Sequence, residues 1–231
     1  MKVAIMQPYF LPYIGYFQLI SSVDIFVVFD NIQYSKRGWF NRNRFLQNGT
    51  DVFFTIPLKK DSQYLNVIDR KVAEEFNKEK LLKQIRQAYR NAPNFPQAFR
   101  IFEEAILYDE DNLFKYIYNS INKVIDALDI QTKIILSSSV NIDHSLKGQD
   151  KILAICKELK ADIYINAIGG VELYSPELFS KNGIELRFIK SKPIEYKQFN
   201  NEFIPWLSVI DIMMFNDLDK IRKMLDEYTL I

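Results

Sequence analysis

The 231-residue chain balances 30 Lys+Arg against 29 Asp+Glu, with 48% hydrophobic and 26% charged residues. That mixture excludes intrinsic disorder and a membrane-embedded chain. One cysteine, Cys156, and one histidine, His144, exclude a disulfide framework and any Cys- or His-rich metal centre, and a net charge of +1 argues against general nucleic-acid binding.

The longest uncharged run, Val3 to Val23, is interrupted by Gln7, two prolines, Gly15 and several tyrosines. It has neither a continuous apolar core of transmembrane length nor a small-residue cleavage site, so no signal peptide or anchor is expected and the chain reads as cytoplasmic. The length suits one domain with an insertion or two small lobes, and the chain is read as a single domain spanning 1–231.

Taken in order, Lys2 to Met6 reads as a buried strand ended by Gln7-Pro8. Tyr9 to Pro12 is a loop, and Ile14, Phe17, Leu19 and Ile20 give the following helix one apolar face. Ile25 to Phe29 is a second strand, which completes a βαβ unit. Phe45-Leu46, Asn48-Gly49 and Val52 to Ile56 fit a β-hairpin, because Asn-Gly tolerates the positive φ values of a type I′ turn. Glu74 to Arg90 and Pro96 to Ala127 read as helices, an insertion of about 70–130 between two halves of a sheet.

Strand and helix alternation resumes at Ile134 to Leu136. Ile152 to Leu159 follows as a helix and Ile163 to Ile165 as a strand. Pro176 to Lys181 is a short helix stopped at Asn182-Gly183, and Ile184 to Ile189 is expected to be the last strand. The fold class is therefore α/β, a Rossmann-like, mainly parallel sheet with a hairpin and an inserted helical segment.

In such sheets ligands bind beyond the carboxyl ends of the strands. That rule selects Gln7 to Gly15, Asp30 to Arg44, Ser137 to Ser139 and Asn166 to Tyr174. In the first stretch a helix start suits a phosphate or carboxylate, with Gln7, Tyr9, Gly15 and Tyr16 as candidate substrate contacts. Gly15 would let a ligand approach the main chain, or equally serve as a packing glycine.

The second stretch holds Asp30, Gln33, Lys36, Arg37, Trp39, Asn41, Arg42, Asn43 and Arg44. Guanidinium forks and amides suit phosphate, carboxylate and sugar hydroxyls, and Trp39 could stack on a sugar or base. Asp30 is the best-placed carboxylate for a proton acceptor. Gly169, Gly170 and Tyr174 follow a strand, where the paired glycines could turn main-chain amides toward a ligand or equally form a plain loop. The adjacent Asp143-His144 does not have the arrangement of a serine triad, and Cys156 shares the apolar face of its helix with Ile152, Ile155 and Leu159. Ser208, with Asp211 three residues on, has capping-box spacing.

At these residues a resemblance enters. Met6 to Phe17, Asp24 with Asp30 to Gln33, Lys36-Arg37-x-Trp39-x-Asn41-Arg42-Asn43, and Phe203 to Phe215 resemble the WbqC-like protein family nearly end to end. The resemblance implies work in bacterial O-antigen or other surface-polysaccharide pathways, as an acyl- or aminoacyl-transferase, with glycyl transfer suggested for some members. The substrate implied is a nucleotide-linked amino sugar, and tRNA stays open as an aminoacyl donor.

On that reading Lys36, Arg37, Arg42 and Arg44 grip anionic oxygens. Gln7, Gln33, Asn41 and Asn43 orient polar groups, and Asp30 acts as base. More distantly, the opening and Lys147 to Asp150 are similar to pantothenate synthetase and other HIGH-motif nucleotidylyltransferases, although Pro12 to Tyr16 carries no histidine. The alternatives are therefore a nucleotidylyltransferase-like or ATP-dependent ligase enzyme and a non-catalytic sugar-nucleotide binding protein. The cofactor, and any need for ATP or a metal, stays open.

Overall fold

A computed structural model describes all 231 residues. Five parallel strands form the body of a six-stranded sheet: β1 (Lys2–Met6), β2 (Ile25–Val28), β5 (Lys133–Leu136), β6 (Ile163–Ala167) and β7 (Glu185–Ser191). The sixth, β8 (Tyr228–Leu230), pairs antiparallel with β7 at the edge. Its three residues give no readable period, so Ile184 to Ile189 is not the last strand as expected.

The spatial order is β5-β2-β1-β6-β7-β8. The chain steps outward from β1 to β2 and β5, then crosses back to β6 on the other side of β1. Strand order therefore reverses between β1 and β6, where a crevice must open at the carboxyl ends.

Both sheet faces are covered. Ala4, Phe26, Val28 and Ile165 point into a 46-residue apolar cluster with α1 (Ile14–Ser21) and the hairpin of β3 (Arg42–Gln47) and β4 (Thr50–Thr55). The same cluster takes in α2 (Lys78–Tyr89), α3 (Phe95–Leu107) and α4 (Leu113–Leu128). The alternate residues Val3, Ile5, Val27 and Tyr164 point into a 12-residue cluster with α5 (Gly148–Glu158) and α6 (Pro176–Lys181). Burial on both sides explains why β1 and β2 read as continuous apolar runs rather than alternating ones.

Two helical boundaries differ from expectation. The segment from Pro96 breaks between α3 and α4, because Asn112 accepts the Lys115 N–H through its side chain and starts a new helix. α2 begins at Lys78 rather than Glu74, since Asn77 caps it through the Lys80 N–H. The hairpin turn follows the Asn-Gly rule, with φ of 52° at Asn48 and 76° at Gly49.

Near the C-terminus, α7 (Val209–Phe215) starts at Ser208 and α8 (Leu218–Met224) starts at Asp217. Asp211 does not close a capping box. Both its oxygens are taken by Tyr89, Tyr196 and Gln198.

Candidate functional site

A cleft of about 1150 Å³ opens where β1, β2 and β6 end. Its β1 wall is the loop into α1, which the hairpin holds rigidly. Asn43 Nδ2 donates to the Phe10 and Leu11 carbonyls at 3.1 and 2.7 Å, and Ser208 Oγ donates to the same Leu11 carbonyl at 2.7 Å. Leu11 is thereby kept at φ 42°, a conformation that leucine rarely adopts unaided. Phe10 N donates to the Phe40 carbonyl, and Val209 N donates to that of Pro12.

On this wall Tyr16 donates to the Gln7 carbonyl at 3.0 Å and Tyr9 to Gln7 Oε1 at 3.2 Å, which leaves the Gln7 amide nitrogen unpaired. Burial and the neighbouring Tyr13 push the Tyr9 phenol up to about 12, and burial raises Tyr16 well above the usual phenol range. Both are neutral hydrogen-bonding groups at physiological pH. Gly15 serves packing: a Cβ there would lie 2.3 Å from the Tyr13 ring.

After β2 the chain contributes Phe29, Asn31, Gln33 and Trp39. Gln33 Nε2 donates to the Gln63 carbonyl at 3.1 Å, tying this strand end to the 63–66 segment. Trp39 stands 37% exposed at the cleft mouth, stacked on Phe53 with centroids 6.0 Å apart. Arg42 fixes it there: its guanidinium lies 5.4 Å from the indole centroid and donates to the Gly38 and Arg37 carbonyls.

After β6, Gly169, Gly170 and Tyr174 line the far wall. Gly170 is crowded by the Asn166 amide at 2.9 Å from an ideal Cβ, whereas nothing approaches within 4 Å at Gly169.

The structure thus brings Gln7, Tyr9, Gly15, Tyr16, Gln33, Trp39, Gly169, Gly170 and Tyr174 to one cleft. It does not bring the other expected contacts there. Lys36 and Arg37 are exposed outside it, and Asn41 is buried between Tyr34 and the Ile56 carbonyl. Asn43 and Arg42 hold main-chain carbonyls, while Arg44 pairs with Asp51 at 2.9 Å and donates to the Trp206 carbonyl.

Asp30, expected as the base, is fully buried. Oδ1 accepts from Ser137 Oγ at 2.7 Å and Ser138 N at 2.9 Å, and Oδ2 accepts from Ser138 Oγ at 2.5 Å. A carboxylate so occupied holds the serine turn; it does not front the cleft.

Sequence reasoning passed over the floor of the cleft. Lys151, in the first turns of α5, is only 5% exposed, with Nζ 5.1 Å from the Phe29 ring centroid and 3.2 Å from Asn31 Oδ1. Burial lowers its pKa, and the Asp30 charge opposes that. Asn31 Nδ2 lies 3.0 Å from His144 Nδ1, and Ser137 Oγ lies 2.7 Å from Asn31 Oδ1. Cys156 is fully buried and its thiol is pushed up to about 12 by burial, so it is core.

Fold and cleft define a doubly wound, Rossmann-like α/β protein with a ligand crevice at its strand-order switch. Within that class the chain belongs to the WbqC-like protein family, whose model matches residues 7–223. It is 24% identical over 215 residues to the uncharacterized protein Rv1507c of Mycobacterium tuberculosis (strain ATCC 25618 / H37Rv), with 92% of each chain covered. No solved structure matches it. No helix is long and apolar enough to cross a membrane.

Proposed function

We propose that this chain is an acyl- or aminoacyl-transferase, glycyl transfer included, acting on an amino group of a nucleotide-linked sugar in surface-polysaccharide biosynthesis. One observation carries the reading: the cleft gathers Gln7, Tyr9, Tyr16, Gln33 and Asn166 from separate strand ends, with an indole at its mouth. Amides and neutral phenols are the groups that read sugar hydroxyls and N-acyl oxygens. Trp39 offers a flat apolar face to a sugar ring.

In the proposed reaction the sugar nitrogen attacks the carbonyl carbon of a preactivated ester or thioester, an aminoacyl-tRNA among the possible donors. The C–N bond forms, the bond from carbonyl carbon to the donor's oxygen or sulfur breaks, and the amine proton departs with that leaving atom. Such a step gains most from alignment of the two reactants. The free Gln7 amide would donate to the carbonyl oxygen as charge develops there. Asp30 acts as a positioning residue, holding the Ser137 turn beneath Asn31.

Incubation of the protein with nucleotide-linked amino sugars and charged donors, followed by mass spectrometry, tests the reading. A product heavier by the acyl group is expected, and no amide from any donor would remove it. A second reading, ATP-dependent nucleotidyl transfer or ligation, is favoured by the way Lys147, Gly148 and Gln149 open α5 onto the cleft. Magnesium-dependent release of pyrophosphate from ATP would select it. Tight ligand binding without turnover would instead select a non-catalytic sugar-nucleotide binding protein.

A further inference from the structure

The chain as a whole is nearly neutral, yet its cleft is not. The side chains that line it include Lys147, Lys151 and His144 but no aspartate or glutamate, although the sequence carries 29 of them. Lys151 is the unusual member. A lysine left 5% exposed is normally paired with an acid, because an isolated buried ammonium is costly. Here its polar neighbours are neutral, Asn31 Oδ1 at 3.2 Å and the His144 carbonyl at 3.5 Å. Asp30, the acid whose charge reaches it, has both oxygens occupied by Ser137 and Ser138.

The hydrogen-bond logic of the neighbours follows from that lysine. An ammonium only donates, so the atom facing it must be the amide oxygen of Asn31, and the amide nitrogen must face His144. Nδ1 of His144 then accepts, and in the neutral imidazole the proton sits on Nε2. The ring therefore presents a donor.

The first turn of α5 adds more donors, since no side chain caps it and Gly148, at φ 53°, has open space where a Cβ would stand. Asp150, the acid of that turn, is exposed and does not line the cleft.

We infer that Lys151, His144 Nε2 and the opening N–H groups of α5 form a phosphate-binding pocket at the floor of the cleft, fitted to the diphosphate of a nucleotide-type ligand. The inference deepens the sugar-nucleotide reading by naming where its charged part sits, and it rests on that reading for the choice of nucleotide as ligand. With the diphosphate on α5, the rest of the ligand extends toward Gln7 and Trp39.

The test is calorimetric titration of the full chain with UDP, pyrophosphate, inorganic phosphate and uridine, for wild type, Lys151→Met and His144→Ala. UDP and pyrophosphate are expected to bind, with uridine at least about tenfold weaker than UDP. Lys151→Met should weaken UDP and pyrophosphate at least about tenfold, and His144→Ala by roughly fivefold, with uridine unchanged in both. Binding by pyrophosphate or inorganic phosphate as tight as by UDP would assign the pocket to free phosphate rather than a nucleotide and overturn the nucleotide part.

Should Lys151→Met fail to fold by thermal melting, His144→Ala decides, because that side chain is exposed. Equal binding of UDP and uridine, or UDP binding untouched by the folded variants, overturns the pocket. Lysine-dependent UDP binding without amide formation leaves the pocket standing and removes the transferase. Amide formation with lysine-independent binding does the reverse.

Discussion

Tyr89 on α2 donates a 2.6 Å hydrogen bond to Oδ1 of Asp211 on α7, and the same phenol oxygen accepts the Leu46 N–H of β3 at 2.7 Å. Tyr196 and Gln198 donate to the other carboxylate oxygen at 2.6 and 2.8 Å. One fully buried acid thus joins the inserted helices, the hairpin and the C-terminal segment without a cation. Asp211→Ala leaves two phenols and an amide unsatisfied, and a loss of roughly 3 kcal/mol is expected. Tyr89→Phe, which strands the Leu46 N–H, should cost about 2 kcal/mol. Urea unfolding should show a lower midpoint at unchanged slope for both.

The same carboxyl gives a pH signature. Burial raises the Asp211 pKa, and the hydrogen bonds from Tyr196, Tyr89 and Gln198 oppose it without prevailing. The native state therefore binds this proton more tightly than the unfolded chain. Its stabilising contribution is full below the unfolded value of about 3.9 and is lost as pH rises through the raised native value. Asp211→Asn cannot titrate. The stability of wild type relative to Asp211→Asn should fall between pH 4 and pH 7 in denaturant titrations at fixed ionic strength; a constant or rising difference would contradict the assignment.

Arg42 acts on the site through Trp39. Its two carbonyl contacts and its place against both Trp39 and Phe53 need a planar, forked cation. Arg42→Lys is therefore expected to behave much like Arg42→Ala, with roughly 1 kcal/mol lost in stability and a larger effect on cleft ligands. Trypsin cutting after the exposed Lys36 and Arg37 should accelerate in both variants while cutting at sites other than position 42 itself stays unchanged.

The legibility of this chain in its sequence divides along physical lines. β1 and β6 are apolar runs with Pro8 and Gly169 two residues past their ends, β2 is one ended by Phe29-Asp30, and a parallel sheet buries such runs on both faces, so the sheet and its switch crevice could be read. The hairpin was readable from Asn48-Gly49, but its first strand begins at Arg42, not Phe45. That shift matters because side chains alternate along a strand. Asn43 turns inward to hold the Phe10 loop, and Arg42 and Arg44 turn outward, so the cation-rich segment builds the wall from behind. Lys151 escaped notice because a lysine early in a helix reads as solvated; only the approach of Phe29 and Asn31 from another strand end buries it.

Asn43 tests whether the cleft wall depends on that inward face. Its amide nitrogen bridges two carbonyls of the β1–α1 loop, and Oδ1 accepts the Arg44 N–H at 2.8 Å. Asn43→Asp is nearly isosteric but replaces that donor with an acceptor facing the Phe10 and Leu11 carbonyls. Repulsion there, together with a buried charge, should cost roughly 3 kcal/mol and release Leu11 from its positive φ. Because Gln7 and Tyr9 ride on the same loop and Gly15 opens the helix it leads into, hydrogen exchange of the 7–15 amides should quicken more than that of β6 or β7. Uniform quickening across the sheet would show instead that Asn43 supports the fold as a whole and has no particular hold on the wall.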